Sequence, residues 1–260
     1  MKIMVCIKQI PHQDARLEIS SDGTWIKEDG LKFEINSYDT YALEEALQAK
    51  DAGECEVVAV SIGPDRVTQA LRTALGMGAD RAIHVKDAEA DGSDSLGIAK
   101  ILAAVAKEEN PDLIYTGLMA DDGNFAAVPM MLAELLDMPH TSAAQKVDRA
   151  NGSVTVEREI EGGAREVVEL QRPCLIAVQT GLNQVRYASL KGIMAAKKKP
   201  LDVKTIADLG LSGQVGAANA KIAVEKISMP QKSSTAEMVT GSAGDMASSL
   251  LGKIKELGLL

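Results

Sequence analysis

The sequence predicts an α/β fold: a mostly parallel open sheet of doubly wound type, flanked by helices, with a β-hairpin insertion and a C-terminal extended arm plus short helix. Three observations predict it. Apolar strand-like runs alternate with helical repeats through the first two thirds of the chain, the order of a parallel sheet joined by crossover helices. A hairpin signal around Glu161-Gly162-Gly163 then interrupts that order. After Pro200 the chain turns polar and rich in small residues.

The elements follow in order. Residues 2–10 read as one buried strand, and residues 17–26 as a hairpin about Asp22-Gly23. Ala42, Leu43, Ala46 and Leu47 recur at helical spacing in a helix over 37–50, with Gly53 at its stop. Residues 56–62 form the second core strand. Gly63-Pro64-Asp65 turns it into a helix, with Pro64 suited to the first turn and Val67, Ala70, Leu71 and Ala74 on one face. Gly76-Met77-Gly78 reads as the end of that helix, not as a phosphate loop. A short strand over 81–85 precedes a helix capped by Ser93 or Asp94, which runs to about Glu109 before Pro111. Residues 112–116 are a strand whose loop, 117–123, feeds a helix through Leu135. Residues 154–159 and 165–170 are the hairpin, and 174–179 a further buried strand. Residues 231–249 read as a linker or arm, and 246–257 as an amphipathic helix with Leu250, Leu251, Ile254 and Leu257 on one side. Domain 1–200 is thus followed by an arm and helix over 201–260.

The chain has 260 residues, 46% hydrophobic and 3% aromatic, so its core must be built from Ala, Val, Ile, Leu and Met. The net charge of −9 argues against a nucleic-acid partner, which calls for surplus Lys and Arg. No apolar run reaches the roughly 18 residues of a membrane span, and the apolar start at 3–7 is too short for a signal peptide, so no membrane insertion is expected. Cys6, Cys55 and Cys174 lie too far apart for a CxxC pair or a disulfide framework, and His12, His84 and His140 lack metal-ligand spacing. A cytoplasmic, reducing setting fits them.

Ligands of open parallel sheets bind beyond the carboxyl ends of the strands. Three strand-to-helix turns converge there, at 36–39, 62–65 and 119–125, each opening a helix whose free N–H groups favour an anion. The chain holds neither GxxxxGK[ST] nor GxGxxG after a strand. Asp121-Asp122 reads as a cap and its solvated neighbour, and no metal site is expected. No Ser-His-Asp or Cys-His constellation stands out, so no catalytic residue is assigned.

Several segments carry a family resemblance. They are the opening Lys2-Ile3-Met4-Val5-Cys6-Ile7-Lys8-Gln9-Ile10-Pro11, Ile35-Asn36-Ser37-Tyr38-Asp39, residues 70–81, the hairpin 154–163, and above all Arg186-Tyr187-Ala188-Ser189-Leu190-Lys191-Gly192-Ile193-Met194 followed by Ala196-Lys197-Lys198-Lys199. Over nearly its whole length the chain resembles electron-transfer flavoprotein beta subunits. The resemblance implies an adenine-nucleotide-binding subunit, an electron carrier and not an enzyme by itself, paired with an alpha subunit that carries most of the grip on an FAD. It also implies a nucleotide in the beta subunit, AMP in ordinary carriers and a second FAD in bifurcating ones that use NADH. A non-redox nucleotide-binding regulator would share the sheet without the 183–200 segment.

By position, the resemblance assigns cofactor contacts to Cys6, Asn36, Ser37, Tyr38, Asp39, Ile62 and Met119, with Gln13 and Tyr38 near the flavin. It extends them through Asp122, Gly123, Asn124, Phe125, Ala126, Ala127, Val128 and Met131. Glu159 matches a carboxylate that pairs with an alpha-subunit arginine. Tyr187, Leu190, Lys191, Ile193 and Met194 fall in a recognition loop, 183–200, whose anchor Leu190 docks on an acyl-CoA dehydrogenase; a membrane quinone-linked oxidoreductase receives the electrons. Relatives usually carry Asp-Gly-Asp-Thr-Gly-Gln-Val-Gly-Pro where this chain has Asp122-Gly123-Asn124-Phe125-Ala126-Ala127-Val128-Pro129-Met130. Bifurcating relatives commonly carry Val-Pro-Asp-Thr where this chain has Ile10-Pro11-His12-Gln13, which favours the ordinary carrier.

Overall fold

A computed structural model describes residues 1–53, 55–150, 152–230 and 236–260. The chain divides into two compact units, one of Met1–Leu17 with Glu28–Val224, the other of Glu18–Lys27 with Glu225–Leu260. In the first unit, β1 (Lys2–Cys6), a short pair β2 (Gln9–Pro11) and β3 (Phe33–Ile35), and α1 (Ser37–Ala52) lead to β4 (Glu56–Ile62). Then come α2 (Val67–Met77), β5 (Arg81–Val85), α3 (Ser95–Glu109), β6 (Leu113–Gly117) and α4 (Val128–Leu135). The chain continues through β7 (His140–Ala150), β8 (Ser153–Glu159), β9 (Arg165–Gln171), β10 (Cys174–Val178), α5 (Leu190–Ala196) and β11 (Leu201–Lys204).

Among the described residues, nine strands form one sheet in the order β11-β5-β4-β1-β6-β10-β7-β8-β9. It is parallel from β11 to β7, and β8 and β9 add an antiparallel flap. Successive strand residues point to opposite faces, so Ile3 and Val5 meet Leu43, Leu47, Leu71 and Leu75 of α1 and α2. Met4 and Cys6 face the other way, into a cluster with Ile101, Leu102 and Val105 of α3 and Leu132 of α4. Each such aliphatic side chain, fully buried, stabilises the fold by about 1.5–3 kcal/mol. β1 lies between β4 and β6, so the chain winds outward in both directions from it. That makes the crevice at the carboxyl ends of β1 and β6 a switch point, where ligands of such sheets sit.

The structure corrects several sequence expectations. Residues 2–10 are two strands: the Lys8 N–H donates to Asp39 Oδ2 (2.7 Å), which takes the chain out of the main sheet before β2 pairs with β3. The helix expected at Pro64 begins at Val67, because Pro64 to Arg66 form a separate turn. The helix after β6 begins only at Val128. Strand β7 was not expected, since Ala143 has a left-handed φ of 55° and the β7–β8 register slips between Ala144 and Lys146, which breaks the alternation. The expected boundary at residue 200 falls inside the unit: β11 pairs with β5, and the unit runs to Val224.

In the second unit the expected hairpin reduces to one antiparallel bridge, Ile19 with Ile26. Helix α6 (Ala243–Glu256) begins three residues earlier than expected, behind a reciprocal capping box between Ser242 and Asp245. Its Leu250 and Leu251, with the following Leu257, are exposed. The arm expected over 231–249 includes residues 231–235, which lie outside the described residues. No helix among the described residues is long and apolar enough to cross a membrane.

Candidate functional site

The carboxyl ends of β1 and β6 are tied to the start of α1 by side chains of the predicted turn. Asn36, before the helix, donates from Nδ2 to the Met119 carbonyl (2.9 Å) and accepts from the Asp121 N–H (3.0 Å). The Ser37 hydroxyl donates to Asp121 Oδ2 (2.6 Å). Asp39 is buried and accepts from the amides of Lys8 (2.7 Å) and Gly117 (3.0 Å), one at each strand end. Burial pushes its carboxyl up to about 7, against the pull of those amides and of Lys8. Burial, and then the nearby Asp39, pushes the Cys6 thiol up, which makes it inert rather than nucleophilic.

Gly117 is required at this junction. A Cβ there would overlap Asp39 Oδ1 and come within 2.6 Å of Tyr38 Cβ. Glycine therefore lets the α1 turn close onto the end of β6, so that Asp39 positions the turn and Tyr38 stands beside it, half-buried.

The loop after β6 fits an anionic ligand held by backbone groups. Lys8 is spent on Asp122 (2.6 Å), so this cation is already paired. Asn124 and Ala126 hold left-handed φ values of 55° and 50° on either side of exposed Phe125, and successive N–H groups in such turns can form anion-binding concavities. Helix α4 then opens at Val128 with no side-chain cap at Ala127, which leaves first-turn amides for a ligand. Thr116, one residue short of the end of β6 and on the sheet face that carries α4, is buried with a hydroxyl lacking a partner. Together these groups suit the phosphate and polar edge of a nucleotide. Among the described residues no cluster of metal-ligating side chains occurs. Two concavities, of about 670 and 380 Å³, lie instead at the amino ends of the strands, one beside Met1, Glu56 and Asp80, the other beside Pro111, Pro139 and Pro173.

Not every predicted contact converges here. Cys6, residues 36–39, Ile62 and Met119 lie at the strand ends, and 122–131 form the loop and first turn beyond β6. Gln13 is exposed in the loop after β2, its N–H on Glu34 Oε1 (3.0 Å). Glu159 ends β8, beyond β10 and β7, where it is exposed and accepts from Gln145 Nε2 (2.8 Å).

A second feature lies on the α1–α2 side of the sheet. The centre of the expected 183–200 loop is α5, a short helix capped by Ser189, whose hydroxyl accepts from the Gly192 N–H (3.0 Å). Tyr187, Leu190 and Met194 are 96%, 83% and 73% exposed, a density of bare apolar surface unusual for one short segment. Ile193 and Lys191 are exposed beside them.

Charged groups fix the ends of this segment. Arg186 binds Glu44 through Nε (2.8 Å) and Nη2 (2.9 Å), and Asp51 through Nη2 (2.7 Å). Burial would raise the Glu44 carboxyl, but the Arg186 hydrogen bonds and charge hold it below the usual carboxylate range. At the other end Arg72 donates to the carbonyls of Ala196 (2.6 Å) and Lys199 (3.0 Å). The lysine run is not uniform: Lys197 and Lys198 are exposed, whereas Lys199 donates to the carbonyls of Leu75 (2.9 Å) and Ala79 (2.6 Å) at the end of α2. Sequence reading missed Glu44, Arg186, Arg72, Gly117 and Lys8 as parts of these sites. For Glu44 and Arg72 the signal was charge inside apolar helical repeats, which is also the pattern of an ordinary solvated face; Lys8, Gly117 and Arg186 stand in segments already singled out, where nothing local shows which partners they take.

Residues 23–209 match the model of the electron transfer flavoprotein domain. A protein of Methylophilus methylotrophus described as electron transfer flavoprotein subunit beta is 37% identical, over 98% of both chains. The mitochondrial subunit beta of Arabidopsis thaliana is 38% identical over 92% of this chain and 94% of its own. The subunit beta of Homo sapiens is 34% identical over 99% of this chain and 98% of its own.

Proposed function

The chain belongs to the electron transfer flavoprotein family as a beta subunit, and on that premise we propose that it joins an alpha subunit and FAD in a heterodimer carrying electrons from acyl-CoA dehydrogenases toward a membrane quinone-linked oxidoreductase. The observation that carries this reading is the exposed apolar group Tyr187, Leu190 and Met194 on a segment clamped at both ends. Tyrosine is among the residues enriched at binding hot spots, and a contiguous exposed apolar group marks an interaction site.

FAD, held chiefly by the alpha subunit, supplies the redox chemistry when bound; this chain supplies position. Asn36, Ser37 and Asp39 hold the loop after β6 against the strand ends. The amides before and within the first turn of α4 bind the phosphate of AMP, with Phe125 as an apolar wall. Tyr38 and Gln13 border the flavin side. Glu159, at the end of the flap, pairs with an arginine of the alpha subunit, and the exposed leucines of α6 pack on that subunit. Leu190 enters an apolar pocket on the dehydrogenase, flanked by Tyr187, Ile193 and Met194. Lys191, Lys197 and Lys198 speed the encounter from an otherwise acidic molecule. The heterodimer works in the cytoplasm.

The test is the rate at which a substrate-reduced acyl-CoA dehydrogenase bleaches the flavin of the reconstituted heterodimer. Leu190→Ala should slow it at least about tenfold at subsaturating dehydrogenase. An unchanged rate would remove the docking role.

A further inference from the structure

Helix α5 has little apolar grip on the body of the protein. Of its seven residues only Ala196 is buried. Its closest approach to α2 is backbone on backbone: a Cβ on Gly192 would overlap the Gly76 carbonyl, and one on Gly76 would meet Ala188 Cβ at 3.4 Å. Such a contact sets how near the helix lies but gives no side-chain interlock to fix its rotation. Orientation must then come from the polar clamps at the ends of the segment.

The clamp before α5 is concentrated on α1. Glu44 is 3% exposed, and both of its oxygens are taken by Arg186: Nε and the backbone N–H on Oε2 (2.8 and 3.1 Å), Nη2 on Oε1 (2.9 Å). One carboxylate thus fixes both the side chain and the main chain of the residue immediately before Tyr187. The next residue of α1 continues the grip. Asn183 Nδ2 donates to Glu45 Oε2 (3.2 Å) and to the Tyr41 carbonyl (3.1 Å), while Arg149 of β7 holds the other Glu45 oxygen and the buried Tyr115 hydroxyl of β6. Two adjacent buried carboxylates therefore join the start of the docking segment to α1, and through Arg149 to the sheet. A bidentate pair of this kind, with its carboxylate buried and its guanidinium partly exposed, is a modest source of net stability but a strict source of geometry.

We infer that Glu44 is a positioning residue for partner docking: through Arg186 it sets the orientation in which Tyr187 and Leu190 are presented to the dehydrogenase. The inference rests on the docking role proposed for Leu190.

The experiment is a double-mutant cycle on the reconstituted heterodimer, with Glu44→Gln, Leu190→Ala and the pair. The readouts are KM and kcat for a substrate-reduced acyl-CoA dehydrogenase, with the flavin spectrum recorded for each variant. Glu44→Gln should raise KM roughly tenfold with kcat and spectrum unchanged, and the pair should be no worse than Leu190→Ala alone, because both act through one contact. An unchanged KM in Glu44→Gln, or penalties that multiply in the pair, overturns the positioning role and leaves the docking reading standing. An unchanged KM in Leu190→Ala overturns both. Arg186→Lys is the second variant should Glu44→Gln fail to assemble: it keeps Glu44 facing a cation but loses the fork geometry. It should show the same rise and the same non-additivity, with faster amide exchange confined to residues 183–200.

Discussion

Replacing Gly117 by Ala tests how the candidate site is built. The added methyl would overlap Asp39 Oδ1 and lie 2.6 Å from Tyr38 Cβ and 3.1 Å from the Asp39 nitrogen. The nearest obstacle is the Asp39 carboxylate, and beside it stand Tyr38 Cβ and the Asp39 nitrogen of the first turn of α1, which no side-chain rotation can move. Either α1 shifts or the Asp39 carboxylate swings away from the Gly117 amide that now donates to it at 3.0 Å. Overpacking in a tight interior costs about 1–3 kcal/mol, and loss of a hydrogen bond to a buried carboxylate about 1.5–3 kcal/mol. Either route alone costs about 1–3 kcal/mol, a large share of the stability of an ordinary domain. Urea unfolding of Gly117→Ala beside wild type measures it. Nucleotide retained by the purified heterodimer should fall as well, since the displaced turn carries Asn36 and with it the loop after β6. A loss under about 1 kcal/mol with full nucleotide content would refute the tight junction.

Other predictions bear on single groups. The folded Asp39 carboxyl titrates near 7 and an unfolded one near 4, so the native state holds an extra proton between those values. Stability therefore falls as pH rises through that window, by up to about 1.4 kcal/mol per unit; Asp39→Asn should flatten the urea-midpoint profile over pH 4–7, and an equally steep variant profile would exclude Asp39 as the source. Ala126 sits at a left-handed φ of 50°, which costs about 1–2 kcal/mol for an L-residue. Even after the extra chain entropy of glycine, Ala126→Gly should raise the thermal midpoint by a degree or more, and a lower midpoint would contradict the strain. Lys199→Met should cost about 2 kcal/mol because its ammonium holds two carbonyls. Lys197→Met and Lys198→Met should leave stability within about 0.5 kcal/mol and flatten the salt dependence of the association rate, measured by stopped flow.

Much of the fold was legible because parallel strands buried on both faces leave unbroken apolar runs. Residues 56–62 and 81–85 emerged with the bounds observed. Asp94 was one of two expected caps for α3 and is the one used, accepting from the Gly97 N–H at 2.9 Å. Strand β7 was hidden by its bulge and by the mixed run Thr141 to Val147, whose burial comes from neighbours that are remote in sequence. The turn at 36–39 was found by topology, since any helix following β1 must start at that end of the sheet. The roles within it were not found. That Asp39 accepts from backbone amides at two strand ends depends on the nearness of Gly117, 78 residues away. The clamp on the docking segment was invisible for the same reason: Glu44 and Glu45 carried no sequence signal of a partner, and only the return of the chain at residues 183–186, 142 positions after Glu44 at Arg186, makes them buried partners.

The central claim is that this chain completes a flavin-bearing electron carrier. Its most direct test is the absorbance spectrum and released-nucleotide analysis of the heterodimer purified after co-expression with an alpha subunit. The account predicts a flavin spectrum with one FAD and one AMP per heterodimer. A colourless complex would contradict the carrier role, and two FAD without AMP would contradict the assignment of AMP to the turns around Asn36 and Val128.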